Sequence, residues 1–179
     1  MFGAHGFESS TMRDLADAVG IKAPGIYNHF ESKEEILNAA IEWAMRDFST
    51  YVIGPDNPRA LPALRLKGIV MRHVRYQIKD PQATRAFDMF MYGPTRERYV
   101  SRYSIDCVRS LSKQYIHVVS DILQKLDRKL KPHDARMRAL VITDMCDTVT
   151  RWYRPDGAYS PARIGNFYWL LVSRIVGLK

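Results

Sequence analysis

The chain has 179 residues, of which 46% are hydrophobic and 26% charged; this is the composition of a folded globular protein and excludes a disordered or collagen-like one. No apolar run approaches the ~20 residues of a membrane-spanning helix, and the first residues lack a basic segment followed by an apolar core. We therefore expect a cytoplasmic protein that makes no membrane contact.

The net charge of +8 is unevenly distributed along the chain. Residues 1–50 carry four basic and eight acidic side chains, so the whole positive excess lies in residues 51–179. Bulk charge in the first fifty residues opposes nucleic-acid binding. Any such function must depend on where individual side chains point.

Two short helices are predicted near the start of the chain. Thr11 opens a Thr-x-x-Asp arrangement related to the capping box, apolar residues follow at helical spacing as far as Val19, and Gly20 ends the helix. A second short helix is predicted from about Ala23 to about Phe30, with a proline tolerated in its first turn.

A longer third helix follows these two. Ser32 and Glu35 form a Ser-x-x-Glu capping box, and apolar residues then recur at helical spacing to Phe48. Two short helices joined by a tight turn and followed by a third are typical of a helix-turn-helix unit.

Proline-containing turns divide the rest of the chain. The turn cluster at residues 54–58 predicts a boundary between a head, residues 1–50, and a larger body, residues 51–179. Further prolines stand where helices can begin, and no hairpin turn lies between alternating apolar residues. We predict an all-α protein with about nine helices.

The last predicted helix is apolar on two faces. One stripe consists of Ile164, Phe167, Tyr168, Leu171, Ile175 and Leu178, and the other of Trp169, Val172 and Val176. A helix with two apolar faces needs two partners. We expect it to form a four-helix interface with a second copy of the chain, the alternative being a helix buried within a monomer.

The strongest motif of the chain lies between Gly6 and Leu37, and its spacing is matched without insertion or deletion. The matching positions are Gly6-Phe7, residues 11–16 (TMRDLA), Gly20-Ile21, residues 26–30 (IYNHF) and residues 32–37 (SKEEIL). This motif closely resembles the DNA-binding head of the TetR family of bacterial transcriptional regulators. Residues 51–179 resemble the family in helical layout alone.

The resemblance implies which residues of the head contact DNA. Arg13 is expected to make a bidentate contact with guanine. The positions expected to face base edges are Lys22, Ala23, Pro24, Tyr27 and Asn28. The positions expected to contact the DNA backbone are Thr11, Gly25, His29 and Lys33.

Three of these residues also have a structural interpretation. Arg13 can pair with Asp17 one turn later, His29 can pack beside Phe30, and Tyr27 can belong to the core of the head.

The chain departs from the family at its beginning. Family members carry a complete first helix, often preceded by an arm rich in Arg and Lys, whereas residues 1–5 correspond to the end of that helix. We expect the natural chain to extend N-terminal of Met1.

Aromatic and methionine side chains in the body can line a ligand cavity or form ordinary core. The Trp-Tyr…Gly…Ser element between Trp152 and Ser160 resembles a branch of the family that controls lipid or sterol breakdown and responds to coenzyme A thioesters. Arginines on one helix face can hold the phosphates of such a ligand, or can form a solvated surface. The predicted ligand-binding residues are Arg72, Arg75, Phe87, Phe90, Met91, Tyr99, Tyr103 and Trp152.

The resemblance implies a homodimeric repressor that binds a palindromic operator in double-stranded DNA and is released by a small-molecule effector. No HExxH, P-loop, GxSxG or GxGxxG motif occurs, and the two cysteines lack metal-binding spacing. We therefore expect neither catalysis nor a metal or cofactor site. A helical ligand-binding protein whose head does not bind DNA is the alternative.

Overall fold

The computed structural model describes residues 6–178, and most of them are helical. The helices are α1 (Met12–Ala18), α2 (Ala23–Tyr27), α3 (Lys33–Val52), α4 (Pro62–Lys79), α5 (Pro81–Tyr92), α6 (Arg96–Tyr99), α7 (Arg102–Leu126), α8 (Pro132–Asp147) and α9 (Pro161–Ile175). A 3₁₀ turn, Thr148–Arg151, follows α8. No strand occurs in this range, so the all-α prediction with about nine helices is confirmed. The expected end of the family's first helix, residues 1–5, lies outside the described residues.

Prolines begin four of the later helices. Pro62, Pro81, Pro132 and Pro161 each lie in a first helical turn, where a missing backbone N–H loses no hydrogen bond. Ser160 caps the last of these helices, because its Oγ accepts a hydrogen bond of 3.3 Å from the backbone N–H of Arg163. The serine of the Trp-Tyr…Gly…Ser element therefore has a structural function.

The described residues form two compact units. The head unit comprises the described residues up to Met45 together with Gln82–Arg109. The body unit comprises Arg46–Pro81 and the described residues from Ser110 onward. The head unit therefore includes α5, α6 and the beginning of α7 as well as the helix-turn-helix. It contains more of the chain than the predicted head, residues 1–50. The boundary near residue 50 stays a prediction.

In the body unit, α8 and α9 both pack against α4. Leu66 and Ile69 of α4 are fully buried, together with Val172 of α9. The opposite face of α9 carries exposed Phe167 and Leu170. The second predicted stripe, Trp169, Val172 and Val176, instead lies in or against the core of the body unit, and Phe167 belongs to the first predicted stripe. The division into two stripes is therefore wrong, although an apolar face of α9 is left uncovered within the body unit.

None of the helices within residues 6–178 combines the length and apolar character that crossing a bilayer requires.

Candidate functional site

A small apolar core joins the first two helices. Met12 and Ala16 of α1 and Ile26 of α2 are buried together, with Phe30 and Ile36 packed against them. Because these side chains all point inward, the opposite side of α1, the following turn and α2 faces solvent. We call this exposed side the reading face.

The N-terminus of α1 is fixed by the capping box that the sequence predicts. Thr11 Oγ1 accepts a hydrogen bond of 3.2 Å from the Asp14 backbone N–H, and Asp14 Oδ2 accepts one of 2.8 Å from the Thr11 N–H. The Thr11 hydroxyl also donates to Asp14 Oδ2, at 2.7 Å. These bonds satisfy N–H groups that the first helical turn leaves without a partner.

The turn between α1 and α2 depends on one glycine. Gly20 has a φ of +73°, in the left-handed region that residues with a Cβ rarely adopt. Its N–H donates to the carbonyl of Asp17 (3.1 Å), and the N–H of Ile21 donates to that of Ala16 (3.0 Å). This is a Schellman motif, and it turns the chain sharply enough to place α2 beside α1.

Helix α2 ends at Tyr27, before the predicted end at Phe30, because the N–H groups of both His29 and Phe30 donate to the carbonyl of Ile26 and close a tight turn. The Ser32 hydroxyl then accepts a bond of 3.2 Å from the Glu35 N–H at the start of α3, as predicted. The Glu35 carboxylate, however, reaches the N–H of Glu31 at 2.7 Å, one residue before the N-cap.

Nine of the ten residues predicted to contact DNA lie at the start of α1 or between the turn and the segment after α2. Seven are exposed: Thr11, Arg13, Lys22, Pro24, Tyr27, Asn28 and His29. Ala23 and Gly25 are half-buried beside them, and Lys33 lies at the start of α3.

The structural alternatives for Arg13 and Tyr27 do not occur. Among the described residues Arg13 forms no ion pair, so it does not bind Asp17. Tyr27 is 54% exposed and lies outside the core of the head. His29 is exposed as well. All three side chains are therefore accessible from solvent on the reading face.

Lys33 has a structural role that the sequence does not reveal. Its Nζ donates to the carbonyl oxygens of Phe7 (2.9 Å), Ser10 (3.3 Å) and Glu8 (3.4 Å). It also lies 4.5 Å from the centroid of the Phe7 ring. The ammonium therefore secures the turn that leads into α1, whatever contact it makes with a DNA phosphate.

A second set of contacts in the head unit joins α3 to the segment around α6. The Asn38 amide donates to the Tyr99 carbonyl (3.0 Å) and accepts from the Ser101 N–H (2.7 Å). The Tyr99 hydroxyl donates to the carboxylate of Glu8, and this bond lowers the pKa of Glu8 below its usual value. We call these contacts the head clamp. No local pattern in the sequence predicts them.

The predicted ligand-binding residues are divided between the two units. Phe90, Met91 and Tyr99 are buried in the head unit, where the rings of Phe90 and Tyr99 lie 5.8 Å and 4.5 Å from that of Phe7. Phe87 is half-buried in the same unit, whereas Tyr103 is exposed. At least Phe90 and Tyr99 thus have a packing role.

The other three predicted ligand-binding residues belong to the body unit. Arg75 is exposed. Trp152 is about half exposed and stacks on Tyr168, with ring centroids 6.5 Å apart. Arg72 is half-buried, and its Nε donates to the Val52 carbonyl at 2.8 Å. The guanidinium of Arg72 is thus directed into the protein.

The body unit also contains a buried polar cluster that the sequence does not identify. His73 is fully buried; its Nε2 lies 2.8 Å from Asp147 Oδ1, and its Nδ1 lies 2.9 Å from the Tyr115 hydroxyl. Gln77, one turn later on α4, also donates to Asp147. Burial by itself lowers the pKa of His73, but the charge of Asp147 and its hydrogen bond outweigh burial and raise that pKa to about 10. The imidazole is therefore charged at neutral pH.

Comparison with known proteins agrees with this architecture. Residues 1–40 match the family "Bacterial regulatory proteins, tetR family", and residues 59–176 match "Tetracyclin repressor-like, C-terminal domain". The HTH-type transcriptional repressor KstR2 of Mycolicibacterium smegmatis is 28% identical over 187 residues, covering 96% of this chain and 83% of that protein.

Solved structures share the fold. A bacterial regulatory protein of the tetR family from Rhodococcus RHA1 superposes with a TM-score of 0.82 at 22% identity, covering 99% of this chain and 92% of the other. AibR in complex with isovaleryl coenzyme A and operator DNA gives a TM-score of 0.76 at 18% identity, covering 97% and 90% of the two chains.

Proposed function

The chain belongs to the TetR family of bacterial regulatory proteins, and on this premise we propose that it represses transcription in the cytoplasm by binding an operator through its reading face. Relatives such as KstR2 are transcriptional repressors, so the chain is a ligand-responsive regulator and not an enzyme. The observation that carries the proposal is the exposure of the side chains predicted to contact DNA, with Arg13 unpaired among the described residues.

The residues of the reading face divide by chemistry into two groups. Arg13 presents a planar guanidinium suited to the two acceptors of guanine in the major groove. Tyr27 and Pro24 offer apolar surface to thymine methyl groups and base edges, with Lys22, Ala23 and Asn28 beside them. The backbone group, Thr11, Gly25, His29 and Lys33, fixes the register of the protein on the duplex.

We propose that the active protein is a homodimer formed through α8 and α9. Both helices carry exposed apolar side chains: Met137, Leu140 and Val141 on α8, and Phe167 and Leu170 on α9. Two helices from each of two copies make a four-helix interface. Such a dimer presents two reading faces roughly one turn of DNA apart, about 34–36 Å, to a palindromic operator.

The head clamp offers a route from effector to DNA. Asn38 and Tyr99 tie residues 82–109 to the helix that follows the helix-turn-helix. A rearrangement of those residues on effector binding therefore moves the reading face with them. The ligand acts only through its different affinities for the DNA-binding and released states, a coupling of typically about 1–3 kcal/mol.

We propose an acyl coenzyme A thioester as the effector. Two observations support this class: the shared fold with AibR in its isovaleryl coenzyme A complex, and the element between Trp152 and Ser160. The predicted phosphate-binding Arg75 lies on the surface of α4, where a charged nucleotide can remain in contact with solvent.

An electrophoretic mobility shift with the DNA flanking the protein's own gene tests DNA binding. We expect a specific shift that Arg13→Ala weakens while relaxing base preference, because a bidentate base contact is lost. Arg128→Ala removes an exposed arginine of the body unit and serves as the matched control. Absence of a shift with the wild type would leave the alternative of a head that does not bind DNA.

Titration calorimetry with medium-chain and steroid-derived acyl coenzyme A esters tests the effector class. We expect binding, and release of the bound DNA at the same ester concentrations. Heat with an uncharged effector, and none with any of the esters, would refute the acyl coenzyme A assignment while leaving repression intact.

A further inference from the structure

The guanidinium of Arg72 lies in an unusual position in the body unit. Its Nε donates to the carbonyl of Val52 at 2.8 Å, and its Nη1 lies against the backbone of Gly68, one turn earlier on α4. A Cβ at residue 68 would lie 2.8 Å from Nη1, closer than real Cβ atoms approach other atoms. The glycine therefore makes room for the guanidinium in this position.

The third nitrogen of this guanidinium has no protein partner. Arg72 Nη2 is buried, and no acceptor among the described residues lies within hydrogen-bond distance of it. A buried N–H without an acceptor is destabilising, and buried polar groups in native proteins are almost always paired. Both N–H bonds of this charged nitrogen are thus left without a protein acceptor among the described residues.

The charge around Arg72 is also unbalanced. Asp56, the nearby carboxylate, is bound by Arg65 through both Nε (3.1 and 3.2 Å) and Nη2 (2.7 Å), and both side chains are almost completely buried. Asp121 lies at the edge of this pair, 4.0 Å from Arg65, and binds Lys125 at 2.8 Å. The buried guanidinium of Arg65, the buried carboxylate of Asp56 and the half-buried guanidinium of Arg72 together leave one positive charge. Burial lowers the pKa of Arg72. The charge of Asp56 raises that pKa, but by less than burial lowers it, because Asp56 forms its hydrogen bonds with Arg65.

The surroundings of this charge are aromatic. The buried Tyr115 hydroxyl accepts a hydrogen bond from Nδ1 of the charged His73 ring, and the Tyr115 ring lies 5.5 Å from that of Phe48. Burial raises the pKa of Tyr115, and the charge of Arg72 acts in the opposite direction. The ring of Tyr76 packs between Phe48 and Tyr51. One positive charge beside apolar rings suits a singly charged oxygen acid on an apolar stem, which is a carboxylate. A phosphate monoester carries close to two negative charges at neutral pH, more than this site balances.

We propose that Arg72 binds a carboxylate on the acyl part of the effector through Nη2, with Gly68 as the residue that positions the guanidinium. This inference rests on the proposed function, because it names a chemical feature of that effector. The coenzyme A phosphates are then bound elsewhere, and Arg72 is the residue that distinguishes a carboxylated acyl group from a plain one.

Calorimetry with two matched esters tests the proposal. Suberoyl coenzyme A and octanoyl coenzyme A have eight-carbon acyl groups, and only the first ends in a carboxylate. We expect the wild type to bind suberoyl coenzyme A at least about tenfold more tightly. Arg72→Met should abolish this preference, and Arg128→Met, at an exposed arginine of the same unit, should retain it.

Gly68→Ala separates positioning from charge. The new methyl group displaces the guanidinium while Arg72 is still present, so the preference for suberoyl coenzyme A should fall. Alanine favours a helix over glycine, and this gain offsets the hydrogen bond to the Val52 carbonyl that the displaced guanidinium loses, so the thermal midpoint should stay near that of the wild type. A loss of preference with undiminished stability therefore reports on the site and not on folding.

The outcomes distinguish this inference from the proposed function. The inference is overturned if the wild type binds both esters equally or binds neither, or if the preference persists in Arg72→Met. The proposed function is overturned if the wild type fails to bind DNA.

Discussion

Replacing Asp147 by Asn tests the ion pair that buried His73 forms with the half-exposed Asp147 in the body unit. The substitution keeps the size of the side chain and removes the charge that His73 Nε2 approaches at 2.8 Å. Gln77 also loses its charged acceptor. His73 lies at the centre of the unit and has no access to solvent, so it cannot exchange the lost partner for water.

The geometry sets the expected cost. Removing one partner of a fully buried ion pair typically costs about 3–5 kcal/mol. The Asp147 side chain is 49% exposed, so water screens part of its interaction with His73. We therefore expect the free energy of unfolding of Asp147→Asn to fall by about 2–3 kcal/mol at neutral pH.

The pH dependence gives an independent readout. The pKa of His73 is raised from 6.5 to about 10 in the folded protein, so the stabilisation is complete below pH 6.5 and is lost as the pH rises toward 10. The wild type should lose stability over this interval. Asp147→Asn should lose much less, because its buried imidazole no longer has a carboxylate to hold the proton.

Urea unfolding followed by circular dichroism at about pH 7 and about pH 9.5 measures both effects. Asp144→Asn is the matched control, because Asp144 is exposed on the same helix and forms no ion pair among the described residues. The reasoning is refuted if Asp147→Asn costs no more than Asp144→Asn, or if the two variants lose stability equally as the pH rises.

Three further substitutions test the reading face and the dimer. Gly20→Ala should cost about 1–2 kcal/mol in urea unfolding, and Gly20→Asn less, because φ is +73° there; equal stability would contradict the Schellman turn. Lys33→Ala should lower the thermal midpoint and reduce the salt slope of DNA binding by about one unit, whereas Lys22→Ala, at an exposed residue expected to face base edges, should leave the midpoint unchanged. An unchanged midpoint in Lys33→Ala would argue against its bonds to the preceding turn. Phe167→Glu should yield monomers in sedimentation velocity, whereas the control Leu64→Glu, at an exposed residue of α4, should leave the dimer intact. A dimer that survives Phe167→Glu would show that the α9 face does not form the dimer interface.

Signals confined to a few neighbouring residues were enough to predict the helices. The Thr11–Asp14 capping box, the stop at Gly20 and the prolines that open later helices each act within one turn, so their effect does not depend on the rest of the chain. The resemblance of residues 6–37 to the family head rests on the same local motif. These features determined the all-α class, the helix-turn-helix and the exposed positions of the reading face.

Contacts between distant residues required the tertiary structure. Asn38 forms a hydrogen bond with Tyr99, 61 residues away in the sequence, and His73 lies within hydrogen-bond distance of Asp147, 74 residues away. The sequence contains these residue types but does not say which of many similar side chains come together. That choice depends on how helices pack, since helix packing brings residues together irrespective of their separation along the chain.

The ligand-binding residues illustrate the same limit. Composition placed Phe90, Tyr99 and Arg72 in one predicted set, because aromatic and basic side chains suit both a binding site and a core. Burial separated them: Phe90 and Tyr99 pack around Phe7, while Arg72 retains a buried N–H group with no acceptor among the described residues. Local sequence thus determined the secondary structure and the DNA-reading motif, and only tertiary packing decided which polar groups inside the body lack a partner.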